Sequence, residues 1–142
     1  MSVAWSLATV DQVAAVADLW HRASGEGLED TGFLVAAASE PRALLLVGHD
    51  DGRLVSAVYG IVLKGAPDQA QVALLCVDPS EQSKGVGTAT LTELIERLRL
   101  RGVSRFRMNV RGDNVKAQRL YERLGWAYAG DEDDERLYRL DG

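Results

Sequence analysis

The sequence predicts an α/β domain in which helices cover both faces of one mixed sheet, and three observations point there. Strand-like and helix-like stretches alternate along a single chain of 142 residues. The stretch 72–77 is an unbroken apolar run of the kind that a strand shows when it is covered on both faces. A glycine-bearing turn then leads from that run into an amphipathic helix.

Each element has its own justification. Residues 3–7 alternate as a short strand. Thr9 and Gln12 have the spacing of a capping box, and Val13, Val16, Ala17 and Trp20 recur at helical intervals, so a helix is expected over 10–23, stopped by Gly25 and Gly27. A weaker helical stretch, 31–39, ends before Pro41. Residues 43–49 and 53–63 read as strands joined by the hairpin signal Asp50-Asp51-Gly52. Gly65-Ala66-Pro67-Asp68 is the next expected turn, and 69–77 is the expected central strand.

The following helix begins near Gly87, with Leu91, Leu94, Ile95 and Leu98 on one stripe, Glu93 spaced to pair with Arg97, and Gly102 as its stop. In 105–111, Phe106, Met108 and Val110 alternate with Arg105, Arg107, Asn109 and Arg111, the pattern of a half-exposed strand. A short helix over 114–124 carries Ala117, Leu120, Tyr121 and Leu124 on one face and closes at Gly125. Residues 126–129 and 137–140 complete a hairpin across the acidic tract 131–135. Trp5, Trp20 and Trp126 are expected in the core.

Composition narrows the function. A chain this long buries roughly 70% of the surface its unfolded form exposes, enough for a core without staples. With one cysteine there is no internal disulfide framework, and with only His21 and His49 beside it there is no zinc ligand set, so no metal is expected. No apolar run approaches the roughly 20 residues of a membrane span, and the first residues lack the basic flank and apolar core of a signal peptide, so no membrane partner and a cytoplasmic location are expected. The net charge of −5 argues against a nucleic-acid partner. Its distribution is uneven: 81–126 is net basic between two acidic flanks, as suits an anionic ligand held by that block.

The chemistry concentrates in the stretch 77–87, Val-Asp-Pro-Ser-Glu-Gln-Ser-Lys-Gly-Val-Gly, which leaves a buried strand and enters a helix. Glycines let main-chain amides approach a ligand, and the first helical turn leaves donors at the positive end of the dipole, an arrangement suited to phosphate or pyrophosphate. The Walker pattern does not fit. A dinucleotide fingerprint lacks its third glycine, begins about eight residues beyond the strand, and has Arg105 where an acid would hold the ribose.

Gln82-Ser83-Lys84-Gly85-Val86-Gly87 matches in full the signature Gln/Arg-x-x-Gly-x-Gly/Ala. A second stretch, Asn114-x-x-Ala117-x-x-Leu120-Tyr121-x-x-Leu124-Gly125-Trp126, follows after a helix and a strand. In this order the two resemble the GNAT N-acetyltransferases, closely over 69–128 and only in expected elements over 1–68. The resemblance implies a GNAT-like single domain over 1–142, with a mixed, mostly antiparallel sheet of about six to seven strands. It also implies acetyl-CoA as co-substrate, a primary amine as acceptor (small molecule or protein), and a homodimer at the level of the family only.

By the same resemblance the main chain of Gln82, Ser83, Lys84, Gly85, Val86, Gly87 and Thr88 would hold the CoA pyrophosphate. Leu75 and Val77 would pair with the pantetheine arm, Asn114 would touch the cofactor arm, and Tyr121 would stand near the thioester sulfur as general acid. A phenol can donate to the leaving sulfur or to the developing oxyanion.

The blander readings stand beside these. Tyr121 shares a helical face with Ala117 and Leu124 and so suits packing, Asn114 suits a helix cap, and Lys84 meets either a phosphate or water. Cys76 reads as a small buried hydrophobe, with no histidine near it in sequence. The base that an ammonium acceptor requires is unassigned, with Glu29 and Asp30 as weak candidates and Asn109 as a residue that could orient a water. The tract 131–135 reads as a solvated turn or an attractor of a cationic substrate. A non-catalytic acyl-CoA-binding sensor or structural module of the same fold is the alternative from another class.

Overall fold

Seven strands form one sheet in the order β1-β2-β3-β4-β5-β7-β6 in a computed structural model that describes residues 2–28 and 30–142. The strands are β1 (Val3–Leu7), β2 (Ala43–Asp50), β3 (Arg53–Leu63), β4 (Ala66–Val77), β5 (Arg105–Arg111), β6 (Ala127–Glu132) and β7 (Glu135–Asp141). The helices are α1 (Val13–Ser24), α2 (Gly32–Ala37), α3 (Val86–Arg99) and α4 (Val115–Arg123). All neighbouring strands are antiparallel except β4 and β5, which run parallel because α3 crosses over between them. The sheet is therefore mixed and mostly antiparallel.

Alternation along the strands sorts the core into two halves. Leu45, Val47, Ala57 and Tyr59 pack with Val16 and Leu19 of α1 and Leu34 of α2. Leu44, Leu46, Val58, Val72, Phe106 and Met108 pack with Leu91, Leu94 and Leu98 of α3 and with Tyr121 of α4 on the other face. Helices thus lie on both faces. The α1–α2 pair, however, covers only β2, β3 and β4, so the face of β5, β7 and β6 that carries Arg105, Arg107 and Asn109 has no helix over it among the described residues.

Several expectations need adjustment. The helix expected over 10–23 starts with a single tight turn, Val10–Gln12, before α1 proper, and Gln12 Oε1 accepts the Thr9 amide at 2.9 Å. The turn expected at Gly65-Ala66-Pro67-Asp68 is shorter. Leu63 pairs with Ala66 across Lys64-Gly65, and Pro67, at the strand's second residue, needs no ladder bond of its own.

The acidic tract is likewise mostly strand, since Asp131 pairs with Arg136 and Glu132 with Glu135, leaving Asp133-Asp134 as the turn. Trp126 is buried, but Trp5 and Trp20 are half-buried. Trp5 lies on edge strand β1 and sends its indole N–H to Thr90 Oγ1 at 3.2 Å. The run at 72–77 is not sealed on both faces: Ala73, Leu74 and Leu75 are half-buried because β5 moves away from them.

Candidate active site

The parallel pair β4 and β5 is hydrogen-bonded over four register positions, Gln69 with Arg105 to Val72 with Met108, and no further. Beyond Val72 strand β4 stays with β3, but three steps on β4, Ala73 to Cys76, oppose two on β3, Tyr59 to Ala57. That extra residue is a β-bulge, and Leu74 within it has φ +63°. A leucine in the left-handed region costs on the order of 1–3 kcal/mol, a strain that surrounding structure must hold in place and that is common at functional sites.

The bulge turns β4 so that its far end opens from β5. Asp78 N–H donates to Val55 O at 2.8 Å, and Cys76 faces Ala57, so alternation turns the main-chain groups of Leu75 and Val77 toward the opening. An interior strand edge with unpaired amides and carbonyls calls for a partner. Part of that demand is met locally, since Gln82 Nε2 donates to Val77 O at 3.3 Å.

The segment that follows is held from below by charge. Asp78 caps the tight turn Pro79–Glu81, accepting from Ser80 N at 2.9 Å and Ser80 Oγ at 2.7 Å. Arg22 of α1 donates to Asp78 at 2.7 Å, and Arg53 of β3 bonds Glu81 at 2.5 Å. Arg22 foremost, then the Ser80 bonds, hold the Asp78 carboxyl down at about 2. Glu81 is lowered as well, first by Arg53.

Above this footing, Gln82, Ser83, Lys84 and Gly85 are exposed, with Ser83 at φ +68° and Gly85 at φ +83°. Left-handed residues on either side of Lys84, ahead of a helix, gather amides into a concave anion nest. The first helical bond of α3 runs from Ala89 N to Gly85 O at 3.0 Å, which leaves the amides of Val86, Gly87 and Thr88 ahead of it. A Cβ at Gly85 would meet nothing within 4 Å, so the loop is open on that side. At Gly87 a Cβ would come within 3.3 Å of Val77 Cγ2, so glycine brings α3 close against β4. Lys84 spends its charge inside the loop, 3.3 Å from Glu81.

From the other side of the opening, Asn114 caps α4 by accepting from Ala117 N at 3.1 Å. Tyr121, on α4, is 7% exposed and shares a core with Leu75 and Leu91, its ring 6.1 Å from that of Trp126. Burial pushes its phenol up to about 12. Tyr138 and Tyr128 spend their hydroxyls on Glu122 and Asp131. Cys76 is buried on the opposite face and pushed up to about 12 by the same desolvation.

On the α1–α2 side of the opening a polar chain links β4, β5 and, past β7, β6. Gln71 Nε2 donates to Asn109 Oδ1 at 3.0 Å, and Asn109 Nδ2 donates to Glu132 Oε1 at 2.8 Å. Arg107 reaches the same carboxylate oxygen at 2.7 Å. Arg111, at the end of β5, pairs with Glu26 of the α1–α2 loop and so ties that loop across the mouth. Asp30 accepts from Gly32 N at 2.7 Å and is spent on a turn, and Glu29 lies outside the described residues.

Leu75, Val77 and 82–88 thus lie at the splayed end of β4, Tyr121 packs in the core that Leu75 joins, and Asn114 starts α4 just past the end of β5. The sequence did not reveal Arg22, Arg53 and Glu81, whose pairings span long separations, nor Gln118, which is buried and bonded to Arg111 O, Gly112 O and Arg136. Asp78 had a readable signal: Asp-Pro-Ser-Glu is an N-cap, a proline at N1 and an acid at N3. Among the described residues no group of three or more His, Cys, Asp or Glu could hold a metal ion, and no helix is long and apolar enough to cross a membrane.

Comparison with known proteins adds independent support. A mycothiol acetyltransferase of Beutenbergia cavernae is 38% identical over 89 residues, which is 61% of this chain and 29% of that protein. An L-2,4-diaminobutyric acid acetyltransferase of Nocardia farcinica is 28% identical over 113 residues, 77% of this chain and 58% of that one. The chain therefore spans between about a third and three fifths of the length of these curated relatives. In fold, it matches a PaiA N-acetyltransferase of Thermoplasma acidophilum, solved in complex with coenzyme A, at a TM-score of 0.88 with 14% identity, covering 100% of both chains. The ribosomal-protein-S18-alanine N-acetyltransferase of Escherichia coli matches at 0.83 with 24% identity, over 99% of this chain and 94% of that one. The profile of the Acetyltransferase (GNAT) family matches residues 13–126, four fifths of the length, and the chain belongs to that family.

Proposed function

We propose that residues 1–142 are one acetyl-CoA-binding N-acetyltransferase domain that transfers an acetyl group to a primary amine by direct attack. The observation that carries this is the coincidence of the β4/β5 opening with an exposed amide nest at the same end of β4. An extended arm can pair with Leu75 and Val77 while a diphosphate rests on the amides between Gln82 and Thr88. Acetyl-CoA supplies an activated acyl group and a good leaving group, a thiolate.

The chain's own groups do the rest. Val77 and Gly87, in contact, keep α3 tight against β4, so that nest and strand edge address one ligand. The Asp78 and Glu81 ion pairs hold the loop in that shape. Asn114 caps α4 and contributes to the arm's site. Tyr121, neutral at all working pH values, donates a hydrogen bond to the sulfur or to the oxyanion as negative charge develops there. Complete transfer of its proton to a thiolate of pKa near 8.5 is unfavourable by more than a thousandfold, which favours the hydrogen-bonding role.

The Gln71–Asn109–Glu132 chain faces the acceptor's side of the opening, where a water held on it can relay to bulk solvent the proton an ammonium must lose. A cytoplasmic location and a homodimer accompany this reading as family-level proposals.

The deciding experiment is a panel of small amines and peptides with acetyl-CoA, read as free CoA thiol. A rise in melting temperature with acetyl-CoA together with thiol release on any acceptor supports the enzyme. A rise without release on any of them overturns it in favour of a binding module. Ligand at 100 times its dissociation constant adds about 2.7 kcal/mol to stability.

A further inference from the structure

The uncovered face of β5 and β7 carries a feature that acetyl-CoA binding does not use. Arg107 and Arg139 are direct cross-strand partners, and Arg105 follows two residues away on the same face, opposite Asp141 and beside Gln69. Like charges placed directly opposite one another destabilise a sheet, so the pair needs a compensating anion. Glu132 bonds Arg107 at 2.7 Å and acts on Arg139 only at longer range, and among the described residues neither Arg105 nor Arg139 has an ion-pair partner within 4 Å. Arg107 Nε is buried with no hydrogen-bond partner at all. Buried donors without partners are uncommon and call for an explanation.

These groups line a recess of about 30 Å³ together with Gln69, Phe106 and Asp141. A cavity of that size admits about two waters, or the head of an oxyanion. Three guanidinium groups outnumber the two carboxylates, Asp141 and Glu132, and the recess is therefore net positive. It lies on the acceptor's side of the sheet: Arg107 is two residues before Asn109, about 7 Å along the strand, and Arg105 about 13 Å.

We propose that this recess binds a carboxylate or phosphate carried by the acceptor, so that the amine acetylated at the opening belongs to a molecule with an anionic group roughly 7–13 Å away. The proposal rests on the acetyl-transfer reading above. It makes Arg105, Arg107 and Arg139 specificity determinants, separate from the residues that hold acetyl-CoA.

The test compares two acceptor pairs matched except for charge: ε-aminocaproate against its primary amide, and aminohexyl phosphate against aminohexanol. Each is assayed by thiol release with the wild-type protein, Arg139→Gln and Arg105→Gln. The anionic member of at least one pair is expected to show kcat/KM about tenfold above its neutral partner, the worth of one charge-assisted contact. In both variants the gap should close to about twofold, with activity on the neutral member and acetyl-CoA affinity unchanged and a melting temperature no lower than that of the wild type, since Arg139→Gln also removes a like-charge pair. An equal gap in wild type and variants, or no gap in the wild type, overturns the proposal. So does an effect of inorganic phosphate on the Arg107 Nε–Hε resonance without any advantage for anionic acceptors, which would mark a free-anion site.

If no amine releases thiol, acetyl transfer fails and that resonance decides the recess alone. A shift on titration with ε-aminocaproate or aminohexyl phosphate, without acetyl-CoA, supports the recess, and no shift with either overturns it.

Discussion

Arg22 of α1 donates to Asp78 at 2.7 Å across a sequence separation of 56, and this contact joins the first helix to the loop that would carry a diphosphate. Asp78 Oδ1 also accepts from Ser80, and Arg53 lies 3.6 Å from Oδ2, the oxygen that Arg22 bonds. Replacing Asp78 leaves Arg22 with Asp18 and Arg53 with Glu81, but removes the contact between α1 and the loop and releases the tight turn. Asp78→Ala is expected to lower the melting temperature and to weaken acetyl-CoA binding by about tenfold, as removal of one partner from a charged network does. Calorimetric titration and a thermal scan check both, and unchanged affinity would detach this network from the loop.

The same carboxylate sets a pH dependence. Its folded pKa, about 2, lies below its ordinary value near 4, so the unfolded chain binds the proton more readily. The stabilisation it gives is complete above about pH 4 and disappears as pH falls from 4 toward 2. Acid unfolding of Asp78→Asn should lack that portion of the pH dependence, measured as denaturation midpoints across the range.

Why the loop could be read from sequence and its footing could not is a matter of interaction range. The nest depends on neighbours: Gly85 and Gly87 lie beside the helix start, and Asn114 three residues before Ala117, so short spacing reveals both. The strand alternation of 105–111 likewise gave β5 its bounds, because polar and apolar residues face opposite sides. The bulge at Leu74 gave no signal, since its apolar run holds no glycine and the strain is imposed by β3 and the core. Arg22 with Asp78, and Gln71 with Asn109 and Glu132, meet only after the sheet assembles. The acidic tract misled for the opposite reason, its composition favouring a turn while pairing with β7 drew most of it into strand.

The two glycines should separate by mechanism. At Gly85 the space is open but φ is +83°, so Gly85→Ala costs backbone strain alone, about 1–2 kcal/mol. At Gly87 the backbone is ordinary helix, and the gain in helix propensity, about 1 kcal/mol, opposes the 3.3 Å contact with Val77. Chemical denaturation should therefore show Gly85→Ala clearly destabilised and Gly87→Ala near wild type. The reverse order would contradict these placements.

Cys76 offers a direct check on the attack by amine. Its thiol, pushed up to about 12, is thiolate in only about one molecule in ten thousand at pH 8. The folded protein should resist iodoacetamide, and Cys76→Ala should keep its turnover. Loss of acetyl transfer in that variant, with the fold intact, would mean that the acetyl group passes through the protein.

Tyr121→Phe removes one hydroxyl from a ring that otherwise packs against Trp126 and the α3 core. Since the ring keeps its burial, stability and acetyl-CoA affinity should stay within about twofold of wild type. Turnover should fall by about tenfold to a hundredfold, toward the low end for a lost transition-state donor, because a thiolate already leaves readily. The pH profile adds a check that packing alone would not affect. An ordinary phenol would begin to lose its proton near pH 9, but one pushed up to about 12 stays neutral throughout the assay range. Wild-type turnover should therefore show no descending limb from this group below pH 10, and turnover in Tyr121→Phe should be lower by the same factor at every pH. A factor that shrinks as pH rises from 8 to 10 would show a phenol ionising where this burial says it cannot.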